Sequence, residues 1–110
     1  MAKQFLGEFE ELVLLAIMKL GKEAYGVPIA EAIEEATEKT VSTGALYTAL
    51  RRLEEKKFIS SWIGDKTEER GGRAKKYFVL EAAGKQAIRN SERGRNRLTV
   101  GGQLATGRVV

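Results

Sequence analysis

Apolar residues recur every three or four positions from about Gly7 to Leu20, the spacing of an α-helix rather than a strand. Phe9, Leu12, Val13, Ala16, Ile17 and Leu20 share one face, and Leu14, Leu15 and Met18 occupy the other side. A helix apolar nearly all round must be buried nearly all round. Two occupants suit the second face: another subunit, or the chain's own C-terminal helix. Gly21 stands where a helix end favours a left-handed backbone. A second helix then opens in KEAYGVPIAEAIEEAT, with Pro28 in a first turn that needs no N–H from it and Val27, Ile29, Ala30, Ile33 and Ala36 on its expected buried side.

A third helix begins at Ser42, whose hydroxyl suits an N-cap, and fades near Lys57. Leu46, Ala49, Leu50 and Leu53 mark its buried face, and at about 100° per residue the opposite side carries Gly44, Thr48 and Arg51, flanked by Tyr47 and Arg52. FISSWIG and KKYFVL read as strands, being rich in aromatic and branched residues. The polar stretch DKTEERGGRA between them reads as the tip of a long hairpin. EAAGKQAIRNSERGRNRL is helical again, thinly apolar through Ala83, Ala87, Ile88 and Leu98, and weakened by Gly84 and Gly94. The closing TVGGQLATGRVV has no period and is expected to be poorly ordered alone. The expected fold is therefore mainly α with a small two-stranded β-hairpin. Its plan is one globular unit over residues 1–80, a C-terminal helix over 81–98 and a tail over 99–110.

Composition sharpens this picture. With 110 residues, 43% hydrophobic and 31% charged, the chain suits one globular domain with a modest core. Its net charge of +4 is unevenly spread. Residues 1–41 hold four Lys/Arg and eight Glu, a net of −4; residues 42–80 hold nine Lys/Arg and five acids, a net of +4; residues 81–110 hold six Lys/Arg and two Glu, again +4. An acidic front and a basic back point to a polyanion approached from one side. The plainer alternative is uneven surface charge without a partner.

Enzyme chemistry finds little support. There is no cysteine and no histidine, so disulfide, thiol and zinc chemistry and the usual near-neutral general base are missing. Asp65 is the only aspartate, and Gly71-Gly72 is not followed by the Gly-Lys-Ser/Thr of a phosphate loop. No metal and no cofactor are expected. No signal peptide or membrane span is recognisable, so a cytoplasmic protein is expected.

Double-stranded DNA is the partner that the pattern suits. The second and third helices, turning at about Thr37–Val41, meet the needs of a helix–turn–helix unit whose second helix enters the major groove. Ser42, Thr43, Gly44, Tyr47, Thr48, Arg51 and Arg52 are the candidate contacts there, arginine being the best guanine reader. Arg70, Arg73, Lys75 and Lys76 of the hairpin lie on the backbone or enter the minor groove. Each of these charges alone also fits a solvated surface role. Tyr25 suits either a phosphate or ligand contact or an aromatic anchor for its turn. Trp62 suits either a small-molecule site between subunits or a sheet aromatic covering the core edge.

The stretches ELVLLAIMKLGKEAYGVPIAEAI, STGALYTALRRLEEKKFI and GGRAKKYFVLEAAGKQAI, together covering about residues 8–90, resemble the PadR family of bacterial transcriptional regulators. The resemblance implies a winged helix–turn–helix DNA-binding domain in a dimeric repressor whose first and last helices form the subunit interface. It implies that Tyr25 and Gly26 match the family's Tyr-Gly turn and Tyr47 the aromatic of its recognition helix. Gly72 and Arg73 match the wing, and Tyr77 the aromatic opening its second strand. Leu6, Leu14, Leu15, Met18, Ala87 and Ile88 are the expected interface residues. Two departures stand out: Leu80-Glu81 replaces a Leu-Thr cap, and the last helix looks short and glycine-broken. A winged-helix module for protein–protein contact is the alternative reading.

Overall fold

The computed structural model describes residues 6–64 and 74–100. Helix α1 (Glu8–Leu20) opens with three glutamates in its first turn, where the positive end of the helix dipole favours them. It stops at Gly21, whose φ of 58° is costly for any residue with a β-carbon. A single tight turn then leads into α2 (Gly26–Thr37). This helix ends on Glu38 in the left-handed region, its N–H bonded to the carbonyl of Glu34. The Glu34 carboxylate also accepts a 2.7 Å bond from the Val41 amide. One side chain thus ties the last turn of α2 to the entrance of the next helix.

Helix α3 (Thr43–Glu55) starts as expected, with the Ser42 hydroxyl accepting a bond from the Ala45 amide. It ends in paired reverse bonds, from the Phe58 amide to the Leu53 carbonyl and from the Lys57 amide to the Glu54 carbonyl. Lys57 occupies the left-handed position that this cap usually gives to glycine. Strands β1 (Ile59–Ile63) and β2 (Lys76–Leu80) pair antiparallel, with Ile59 opposite Leu80 and Trp62 opposite Tyr77. The other edge of β2 is covered by the segment before α2: the Phe78 amide donates to the Ala24 carbonyl, and Tyr25 bridges Tyr77. Helix α4 (Ala82–Thr99) closes the described chain.

The core gathers Val13, Leu14 and Ile17 from α1, Ile29 and Ile33 from α2, and the expected Leu46, Ala49, Leu50 and Leu53 from α3. Ile59, Phe78 and Ile88 close it. Four helices and a two-stranded antiparallel sheet make this a winged-helix fold.

Several expectations are corrected. The buried face of α1 is turned toward Val13, Leu14 and Ile17, and Phe9, Leu12 and Leu20 are only half-buried. Leu14 and Ile88, expected at a subunit interface, are enclosed by their own chain, at 0% and 4% exposure. Val27 and Ala36 of α2 face solvent instead of the core. Trp62 does not cover the core edge: it stands half-exposed on the opposite face of the hairpin from Ile59 and Phe78. Helix α4 is neither short nor broken, running 18 residues through both glycines. Gly84 is there because a β-carbon would meet the Phe58 carbonyl oxygen at 2.3 Å. Leu98 is almost fully exposed. The cap of α4 makes no side-chain bond to its own helix; the Glu81 carboxylate instead accepts from Ser60 at 2.5 Å.

Candidate nucleic-acid interface

Because Leu46, Ala49, Leu50 and Leu53 are buried, helical geometry leaves the other side of α3 open. Thr43, Gly44, Tyr47, Thr48, Arg51, Arg52 and Glu55 are all exposed. Arg51 pairs with Glu55 at 3.2 Å, one turn on, with both side chains more than 60% exposed. So exposed a pair is worth only a few tenths of a kcal/mol. Its guanidinium exchanges partners easily. Ser42 is already engaged as a cap, which uses a lone pair and leaves its O–H proton free to donate. Tyr47 is half-exposed, and its hydroxyl end lies where a β-carbon on Gly26 would sit, 2.2 Å away. It spans from α3 to the start of α2.

The hairpin carries a stack of aromatic rings. Trp62 lies parallel to Tyr77 at 4.6 Å, and Tyr77 meets Tyr25 edge-on at 5.4 Å. The Lys75 ammonium sits 4.5 Å over the Tyr25 ring and donates to its hydroxyl at 3.5 Å. Tyr25 is half-buried between the turn and the hairpin. Lys76 reaches Glu54 of α3 at 3.7 Å, which ties the loop end of the strand ladder to the exposed helix. Arg70 and Arg73, with Gly72, lie outside the described residues. Among the described residues no group of His, Cys, Asp or Glu is placed to hold a metal ion, and no helix is long and apolar enough to cross a membrane.

The expected interface residues divide. Met18 is 52% exposed, and Leu15 is half-buried. Leu6 and Ala87 line an open groove of about 730 Å³ together with Phe58, Ala83, Gly94 and Leu98. On α4 the positions 83, 87, 94 and 98 form one stripe of small and apolar residues.

Two contacts escaped the sequence pattern. The Lys56 ammonium pairs with Glu10 at 2.8 Å, tying the end of α3 to α1. Arg95 of α4 pairs with Glu11. The available signal was two adjacent glutamates inside an otherwise apolar helix, which demand a partner if buried.

The model of the PadR-like transcriptional regulator family matches residues 14–90. A PadR family transcription regulator from hypervirulent Clostridium difficile R20291 superposes with a TM-score of 0.71 at 27% identity, covering 84% of this chain and 92% of its own. A PadR-like transcription factor from Bacteroides fragilis gives 0.70 at 28% identity, covering 83% and 82%. A PadR-like regulator from Bacillus cereus shares the fold, with a TM-score of 0.68 at 18% identity over 84% of each chain. No curated relative matches the chain. With the family's pattern running from α1 into α4 and its fold reproduced, the chain belongs to the PadR-like family of transcriptional regulators.

Proposed function

We propose that the protein is a homodimeric, sequence-specific repressor that binds a pseudo-palindromic operator in the cytoplasm. The observation that carries this reading is the exposed face of α3, where Thr48, Arg51 and Arg52 stand clear of the core. Such a face fits a major groove, in which a forked guanidinium reads guanine and hydroxyls reach phosphates or base edges. Lys75 and Lys76, with Arg70 and Arg73, supply the wing's charge to the backbone or the adjacent minor groove. Charge attraction brings the surfaces together, α3 reads, and the wings hold.

The groove between Leu6, Phe58 and the small-residue stripe of α4 supports pairing with a second copy, joined by Met18 and Leu15 of α1. Two-fold pairing sets two copies of α3 one or more turns of duplex apart. A retardation assay with the DNA upstream of the protein's own gene, run at two salt concentrations, tests the reading. Salt-sensitive, sequence-dependent shifts support it. The alternative, a winged-helix module that docks α3 on another protein, calls for an apolar outward patch; Thr48, Arg51 and Glu55 occupy that position instead.

A further inference from the structure

From Arg89 onward α4 has no buried residue, although it continues to Thr99. Its inner end is held by Gly84 against Phe58 and by Ile88 in the core. Beyond Ile88 about 16 Å of helix extends at 1.5 Å per residue. Along that length, among the described residues, the only polar bond from α4 to the rest of the chain is Arg95 to Glu11. Gly84, Ile88 and Arg95 lie four and seven residues apart, so the hinge and this pair share one face of the helix. On the neighbouring flank, among the described residues, the groove at Leu6 and Leu98 is open.

Glu11 is 8% exposed, and its second carboxylate oxygen is buried without a partner. A buried carboxylate with one donor depends on that donor, and a hydrogen-bonded ion pair fixes direction in a way that apolar contact does not. Its neighbour Glu10 holds Lys56 at the end of α3. Two successive residues of α1 therefore grip the reading helix and the pairing helix.

We infer that Glu11–Arg95 is a positioning latch that sets the angle at which the outer half of α4 leaves the body, and through it the separation of the two copies of α3 in the paired molecule. This rests on the reading of α4 as a pairing element. With one partner on α1 and the other on α4, the latch governs operator geometry through the angle of α4 and not through a contact from α3.

The chain has no cysteine, so Thr48→Cys places a single spin label on each α3 of the full chain, and a dipolar measurement reads their separation without DNA. With Arg95 intact the distance distribution is expected to be single and narrow. Arg95→Ala is expected to broaden it at least twofold and to speed amide exchange at residues 92–99 at least tenfold, leaving residues 82–88 and α1 unchanged. Arg95→Lys is expected to restore both. An equally narrow distribution in Arg95→Ala, or faster exchange throughout the chain, would overturn the latch. A sample with Arg95 intact and no interchain distance would remove the pairing, and this inference with it.

Discussion

The α-carbon of Gly84 rides over the backbone carbonyl of Phe58, so closely that a β-carbon would lie 2.3 Å from that oxygen. The same carbonyl accepts the Glu81 amide at 3.0 Å. The glycine that weakens α4 by propensity is what lets α4 reach the body. Gly84→Ala pushes on backbone, which has no rotamer through which to escape. It is expected to destabilise the fold by about 1–3 kcal/mol, measured by urea unfolding. Gly94, with open space around its position, gives the opposite result: Gly94→Ala is expected to stabilise the folded chain by about 0.5–1 kcal/mol. A loss of pairing in Gly94→Ala, read by sedimentation, would mark its stripe as the contact between copies.

On the proposed reading, Arg51 separates recognition from stability. Its pair with Glu55 is solvent-exposed on both sides, so Arg51→Ala is expected to change unfolding free energy by less than about 0.5 kcal/mol. Operator affinity is expected to fall by about 1–3 kcal/mol if the guanidinium reads a base. Retardation titration and denaturant melts on one preparation distinguish the two effects. Unchanged affinity would remove Arg51 from the site.

On the proposed reading, the wing's lysines act through charge. Lys75→Ala and Lys76→Ala are each expected to lower affinity about equally for specific and random duplex and to reduce the salt slope by about one. Lys76→Ala also frees Glu54, which remains hydrogen-bonded to Ser61 at 2.6 Å. The slope of log affinity against log salt for each variant checks this.

Lys57 holds a φ of 65° at the end of α3. Left-handed backbone costs a residue with a β-carbon about 1 kcal/mol, so Lys57→Gly is expected to stabilise the chain by up to that amount in thermal or urea unfolding. The two reverse bonds to Leu53 and Glu54 keep the cap in place.

The periodicity of α3 was legible without coordinates. Leu46, Ala49, Leu50 and Leu53 face inward for the same reason that they repeat, and the exposed side follows from the angle between successive residues. The Ser42 cap was legible too, because it depends on atoms three residues apart. For α1 the pattern was degenerate: apolar residues on both sides allowed more than one buried face, and only packing against α2, α3 and β2 chose Val13, Leu14 and Ile17. Trp62 illustrates the same limit, since a strand's alternation says that faces differ but not which one is inside.

The amino-acid order alone determined the order of the elements, the ends of α1 and α3 and the polar face of α3, because these rest on bonds and angles within a few residues. Tertiary structure alone decided that Gly84 is a point of close approach, that Tyr47 lies against Gly26, and that Glu11 holds Arg95, 84 positions away. Those contacts join residues distant along the chain. Their distances are set by how the helices cross, and no local pattern encodes that.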